Sequence, residues 1–122
     1  MENYFRKIEV GVGLDDAELI SYQYEQSKNI GTVKIRTWNA KCIVIHFIGP
    51  ILLIDRGCQA ITAFGERSEQ TVFFEEVLKK VYDSIPKNHP YKLYQLLDMD
   101  NTPSLEVVSE EIKLEIMNLV SS

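Results

Sequence analysis

Long hydrophobic runs, cysteine and excess positive charge are all scarce in this sequence of 122 residues. No apolar run approaches the roughly 20 residues that a membrane-spanning helix needs, which argues against a membrane protein. The two cysteines, Cys42 and Cys58, are too few for a disulfide scaffold and fit reduced, buried thiols. Thirteen basic against eighteen acidic residues leave a formal net charge of −5. That charge argues against nucleic acid or an anionic membrane as a direct partner, because both are bound through clustered basic side chains.

The remaining composition is that of an ordinary globular protein, with 45% hydrophobic and 25% charged residues. A chain of this length predicts one domain, residues 1–122, which buries about two thirds of its unfolded surface. No apolar core of a signal peptide follows the segment Met1 to Lys7, so a cytoplasmic location is expected.

Strand-forming residues are concentrated between Thr32 and Phe64. They form four short runs rich in residues that suit a pleated sheet: Thr32–Trp38, Cys42–Ile48, Ile51–Arg56 and Gln59–Phe64. A further run, Leu19–Glu25, alternates apolar and polar residues, although Asp15 and Asp16 before it resemble a helix start. Because the breaks between runs are too short for parallel crossovers, the sequence predicts an antiparallel meander of about five strands.

The break at Gly49-Pro50 predicts a two-residue turn between neighbouring strands. The implied pairs are Ile48 with Ile51, His46 with Leu53, and Val44 with Asp55. His46 then reaches Asp55 diagonally, which would allow an acid–base pair, although a half-buried, hydrogen-bonded histidine is the more ordinary interpretation. Cys42 shares a strand face with His46, but four residues along a strand span about 13 Å, too far for one zinc ion.

The apolar period becomes helical after Ser68. Phe73, Phe74, Val77, Leu78 and Val81 form one stripe, which predicts a helix from about Glu69 to Ser84, capped by Ser68 or Thr71 and packed across the sheet. Residues 91–97 fit either a strand or a short helix. In residues 105–119 the spacing of Leu105, Val108, Ile112, Ile116 and Leu119 predicts a second helix, with a strand as the competing interpretation. The expected fold class is α+β: an antiparallel sheet of about five strands packed against one or two helices.

Leu96-Leu97-Asp98-Met99-Asp100-Asn101-Thr102 resembles the nucleophile motif of haloacid-dehalogenase-type phosphatases, an apolar strand followed by Asp-x-Asp-x-Thr. In that family the first carboxylate attacks phosphorus, the second acts as acid and base, and Mg²⁺ lies between them. Lys113 is the sole lysine after the motif in this sequence, and the other segments of such a catalytic domain are missing. The same aspartates do not fit a calcium loop, because Pro103 and Ser109 stand where glycine and glutamate are needed. An exposed acidic turn is therefore expected, with no metal and no cofactor.

Several aromatic residues are candidates for a protein interface, since tyrosine and tryptophan are enriched at binding hot spots. They are Tyr22, Tyr24, Trp38, Tyr82, Tyr91 and Tyr94. Core packing remains the more common role for each of them. On a C-terminal helix, Glu106, Glu110 and Glu111 would also form an acidic side.

The chain is small and acidic and has no catalytic constellation. In this respect it resembles the immunity proteins of bacterial polymorphic toxins, including contact-dependent growth inhibition systems. The similarity in style is carried by the segments 85–91, 97–100 and 103–108. The resemblance implies a protein that binds its cognate toxin domain, often a nuclease, and blocks the active site or substrate access. Acidic side chains would steer a basic toxin domain. The expected partner-binding residues are Asp98, Asp100, Glu106, Glu110, Glu111, Tyr91 and Tyr94.

Two other functions stay open. An acidic secretion chaperone that holds an effector segment predicts a stable homodimer, whereas an immunity protein is often monomeric when free. A small enzyme would use His46 with Asp55, or Asp98 with Asp100, and predicts a pocket around those residues. The favoured interpretation is a binding protein and not an enzyme.

Overall fold

The computed structural model describes residues 5–11, 13–14, 17–38, 40–57, 60–68 and 71–118. In these ranges the chain forms nine strands and one helix. The strands are β1 (Phe5–Lys7), β2 (Glu18–Glu25), β3 (Ile30–Arg36), β4 (Lys41–Ile48), β5 (Leu52–Asp55), β6 (Ala63–Arg67), β7 (Lys92–Leu97), β8 (Pro103–Ser109) and β9 (Glu111–Asn118). The helix α1 (Val72–Leu78) lies between β6 and β7 in the chain.

The strands form two antiparallel sheets instead of one. The first has five strands in the order β1-β6-β7-β8-β5, and the second has four in the order β2-β3-β4-β9. The predicted antiparallel, sheet-rich fold is confirmed, and β2, β3 and β4 form a meander as expected. The prediction of a single five-stranded sheet is wrong, because β5 and β6 belong to the other sheet.

Gly49-Pro50 leads the chain from one sheet to the other and does not close a hairpin. Gly49 has the positive φ of 64° that the turn prediction required. However, β5 pairs with β8, and β4 pairs with β9, which places His46 opposite Lys113 and not opposite Leu53. The physical reason is the number of backbone pairs that each strand can form with β4. β9 pairs with all eight residues of β4, whereas β5 has only four residues.

The C-terminal part of the chain is also sheet. Residues 103–109 and 111–118 are the strands β8 and β9, so the predicted helix over 105–119 is wrong. The competing alternation of Ile112, Leu114 and Ile116 is the pattern that the structure follows. Pairing with β7 and β4 satisfies the backbone of both strands, and adjacent β-branched residues such as Val107 and Val108 favour the extended form. Residues 92–97 are likewise a strand, and Leu119 lies outside the described residues.

Helix α1 is shorter than the predicted Glu69–Ser84 but begins at one of the predicted caps. Thr71 is the N-cap, and its side-chain oxygen accepts a hydrogen bond of 3.1 Å from the Phe74 N–H. The buried face of the helix packs on Leu93 and Val108, on the side of the five-stranded sheet that faces away from the other sheet. The predicted packing of this helix across a sheet is confirmed.

The main core lies between the two sheets. Its buried side chains include Val33, Ile35, Ile43, Ile45 and Phe47 from the second sheet and Phe64, Tyr94, Leu96, Leu105 and Val107 from the first. The rings of Phe47, Phe64 and Tyr94 meet across the layers, with centroids 5.7 to 6.4 Å apart. Tyr94 is only 3% exposed. It packs in the core, whereas the sequence placed it among the partner-binding residues.

Candidate functional site

A cleft of about 590 Å³ opens between the two sheets, where the edge strands β2 and β5 lie on the same side of the molecule. Its walls are mostly apolar. They include Tyr22, Tyr24, Gly31 and Phe47 from one sheet, and Pro50 and Leu53 from the segment that enters the other. A cleft of this size and composition is typical of sites that take an apolar or aromatic group.

The pattern of β2 explains why the cleft carries two tyrosines. In the β2–β3 ladder Tyr22 lies opposite Val33 and Tyr24 lies opposite Gly31, so both rings point toward the other sheet. Gly31 has no side chain to fill the space beneath Tyr24. Tyr22 is 46% exposed and Tyr24 is 56% exposed. The Tyr24 hydroxyl donates a 2.6 Å hydrogen bond to Asn29 Oδ1, which fixes the ring before any partner binds.

Three acidic residues lie at the end of the second sheet where the chain turns at Gly49-Pro50. The carboxylate of Glu110 lies against Gly49, at the place that a Cβ on that glycine would occupy. Glu25 follows the cleft residue Tyr24 in β2, and Glu111 lies opposite Ile48, the neighbour of the cleft residue Phe47. Both side chains are therefore on the face of the second sheet that points away from the cleft. We call Glu25, Glu110 and Glu111 the acidic rim; Glu110 is the member beside the cleft, because its carboxylate lies against Gly49, next to the cleft residue Pro50.

Tyr91 belongs to the same end of the molecule as the acidic rim. Burial raises the pKa of Tyr91, and the negative charge of Glu110 raises it further. Its ring packs against that of Tyr82, with centroids 6.2 Å apart. Two of the predicted partner-binding residues, Tyr91 and Glu110, are therefore brought together.

Asp98 and Asp100 lie at the opposite end of the five-stranded sheet, in the turn between β7 and β8. Asp98 Oδ1 accepts hydrogen bonds of 2.9 Å from the Asp100 N–H and 3.0 Å from the Thr102 N–H. The Asp98 carboxylate therefore closes the turn between β7 and β8. Across the described ranges, no three His, Cys, Asp or Glu side chains are grouped so as to hold a metal ion.

Glu106 is buried, contrary to the prediction of an exposed acidic side. It is 6% exposed, and its carboxylate accepts hydrogen bonds from Arg56 Nε at 2.6 Å and from Gln95 Nε2 at 2.9 Å. Gln95 Oε1 in turn accepts a 2.8 Å hydrogen bond from Arg67 Nε. This chain of side chains crosses β6, β7 and β8, so Glu106 stabilises the sheet and is not part of the partner-binding surface.

The possible His46–Asp55 pair does not form, because the two residues lie in different sheets. His46 Nδ1 lies 3.3 Å from Thr32 Oγ1, and its Nε2 lies 3.5 Å from a carboxylate oxygen of Glu115. This is the partly buried, hydrogen-bonded histidine of the more ordinary interpretation. Cys42 is buried with a free thiol, and Cys58 lies outside the described residues.

The sequence alone does not predict the cleft. It offers Tyr22 and Tyr24 only as two of six aromatic candidates for an interface. The sequence feature that could indicate the cleft is a strand with aromatic residues at alternate positions, Tyr22 and Tyr24, followed by a strand with a glycine, Gly31. That signal does not reveal which strand forms the opposite wall.

Comparison of the chain with protein-family models, with curated proteins and with solved structures gave no significant match. In the part of the chain that the structure describes, no helix is long and apolar enough to cross a membrane. The geometry of the cleft and its acidic rim is thus the basis on which function is inferred.

Proposed function

We propose that this protein binds a basic toxin domain and neutralises it by covering the active site, with the cleft and its acidic rim as the contact surface. The observation that carries the proposal is the cleft, because it combines an apolar floor with two half-exposed tyrosines. Tyrosines of this kind bury a large area at low entropic cost and are enriched at interface hot spots.

The charges around the cleft support a basic partner. Glu110 lies at one end of the cleft, and the whole chain carries a net charge of −5. An arginine of the partner can place its guanidinium over the exposed face of Tyr24. Complementary charge of this kind raises the association rate more than it raises the affinity.

A second candidate, a secretion chaperone, is supported by the free edge of β2. Within the described residues β2 pairs only with β3, so an extended effector segment could add as a further strand beside it. Alternate side chains of that segment would then enter the cleft. A chaperone would bind an unfolded segment without relieving toxicity, whereas an immunity protein would bind the folded toxin domain.

The decisive experiment uses the protein encoded by the neighbouring gene as the candidate toxin. Growth of cells that express it, with and without this chain, measures neutralisation, and calorimetry measures the dissociation constant. We expect one-to-one binding and rescue of growth. The Tyr24→Ala variant should weaken binding by about tenfold or more, as loss of a hot-spot tyrosine does.

A second variant tests the cleft without removing a tyrosine. A Cβ on Gly31 would lie 3.6 Å from Pro50 Cγ, an ordinary contact, so Gly31→Ala should fold and narrow the cleft. It should weaken binding, whereas Val72→Ala, at a position that is 73% exposed on α1, should not. A neighbouring protein that is neither toxic nor bound, or one bound equally by all variants, would overturn the proposal. Binding of an unfolded segment without rescue would favour the chaperone.

A further inference from the structure

β9 is an edge strand on the side of the four-stranded sheet away from the cleft. In the described part of the chain its neighbour is β4 alone, and the ladder runs over eight residue pairs without a register shift. Three large side chains along it are exposed: Leu114 by 37%, Ile116 by 46% and Met117 by 50%. A long, regular edge strand that lacks proline and carries apolar groups is a ready template for another strand.

We propose that β9 of a second copy of this chain pairs with this edge, antiparallel, about a two-fold axis at Leu114. Along β9 the residues Ile112, Leu114 and Ile116 share one face of the sheet, and Glu111, Lys113, Glu115 and Met117 share the other. Residues directly opposite in an antiparallel pair point to the same side. A two-fold axis perpendicular to the sheet at Leu114 therefore places Leu114 opposite its copy and Ile112 opposite Ile116, while Met117 lies opposite Glu111.

Charge selects the register. With the axis at Leu114, Lys113 of each copy lies opposite Glu115 of the other, and Ile112 lies opposite Ile116. With the axis at Lys113 or at Glu115, that charged residue would lie opposite itself. Opposite charges stabilise a strand pair and like charges destabilise it.

One other register matches the charges but is short. An axis at Ile112 would place Glu111 opposite Lys113, but it would pair only residues 111–113 of the strand. The axis at Leu114 pairs residues 111–117. It is therefore the register that uses both the charges and the length of β9.

The resulting dimer joins two four-stranded sheets into one continuous sheet. Because β2 is the opposite edge of each sheet, the cleft of each copy stays open, and the inference does not depend on the proposed function. A homodimer is the assembly expected of the chaperone. The binding assay on the cleft, and not the oligomeric state, must therefore separate the two functions.

Sedimentation equilibrium of the full chain tests the charge register. The unmodified chain should show a reversible dimer at high concentration. Lys113→Glu and Glu115→Lys should each raise the dissociation constant of the dimer about tenfold, because each variant places two residues of like charge opposite each other at both 113–115 pairs. An equimolar mixture of the two variants should dimerise again, because every 113–115 pair is then of opposite charge. Lys34→Glu, on β3 away from the edge, changes the net charge equally and should leave the dimer intact.

Cysteine cross-linking tests the position of the axis. In a Cys58→Ser background, Leu114→Cys places two thiols on opposed residues, whose Cβ atoms lie about 4.5–5.5 Å apart in such a pair, and mild oxidation should give a covalent dimer. Ile116→Cys is the matched control, because residues 116 of the two copies lie about 13 Å apart. A monomer at all concentrations, no rescue in the mixture, or equal cross-linking at both positions would overturn the inference.

Discussion

Arg56 Nε donates a 2.6 Å hydrogen bond to Glu106 Oε1, and this ion pair joins the chain just after β5 to the middle of β8. The Arg56 side chain is 46% exposed, whereas the Glu106 side chain is 7% exposed. The guanidinium group also lies 5.7 Å from the centroid of the Phe73 ring, so it connects helix α1 to the sheet. Arg56 can turn to water if its partner is lost, but the carboxylate of Glu106 depends on its protein donors.

Replacement of Glu106 should therefore destabilise the fold. Glu106→Ala leaves the buried Gln95 amide without its acceptor and should lower the free energy of unfolding by about 2 kcal/mol. Glu106→Gln keeps an acceptor and should cost about half as much. Urea denaturation measures both, with Glu76→Ala on the exposed side of α1 as the control, expected to stay within about 0.5 kcal/mol. A Glu106→Ala change no larger than that of the control would show that the network does not stabilise the sheet.

Glu106 also shows why part of the fold could not be predicted. The three- and four-residue spacing of Leu105, Val108 and Ile112 is helical, and it placed Glu106 on an exposed face. Acidic side chains are rarely buried unless they are paired. The partners that allow burial, Gln95 and Arg56, lie 11 and 50 residues away in the chain, where no local pattern links them to position 106.

The predictable features are those that neighbouring residues determine. The meander of β2, β3 and β4 needs only alternation and short turns, and the cap of α1 needs only Thr71 ahead of an apolar stripe. The division into two sheets depends on the pairs β5–β8 and β4–β9, which join distant segments. The cleft depends on that division, because its two walls come from different sheets.

Gly65 should be intolerant of a side chain because its neighbour strand β1 and the Phe5 ring occupy the space that a Cβ would need. A Cβ there would lie 2.5 Å from the Arg6 carbonyl oxygen and 2.5 Å from Phe5 Cζ. Gly65→Ala should lower the free energy of unfolding by about 1–3 kcal/mol. It should also speed hydrogen exchange of the β1 amides.

Gly31→Ala is the matched control for Gly65→Ala, because Gly31 is also a strand glycine but has room for a Cβ. Its stability should change by less than about 0.5 kcal/mol or increase slightly, since alanine reduces the entropy of the unfolded chain. Equal effects of the two substitutions would contradict the close approach of β1 to Gly65.

Alkaline pH should destabilise the protein through Tyr94. Burial raises the pKa of Tyr94 to about 12, and the negative charge of Glu66 adds to the rise. In the unfolded chain a tyrosine titrates near about 10, so this contribution to stability is complete below about pH 10 and is lost as the pH rises to about 12. The loss amounts to about 2–3 kcal/mol.

Urea denaturation between about pH 9 and pH 12 measures this dependence. The Tyr94→Phe variant lacks the titrating phenol and should lose less stability over that range than the unmodified chain. Tyr24→Phe, at a position that is 56% exposed, is the control for removal of a phenol. Parallel curves for the unmodified chain and Tyr94→Phe would show that the buried phenol does not govern the alkaline transition.

Helix α1 should depend on its cap more than a long helix would. It has seven residues, and isolated helices shorter than about 12 residues are marginal in water, so its stability must come from Thr71 and from packing on the sheet. Thr71→Ala removes the acceptor for the Phe74 N–H and should cost about 1 kcal/mol, whereas Thr71→Ser keeps a hydroxyl and should cost much less. Urea denaturation and hydrogen exchange of the α1 amides distinguish the two variants. Equal losses would mean that packing alone holds the helix, because only the alanine variant lacks the cap.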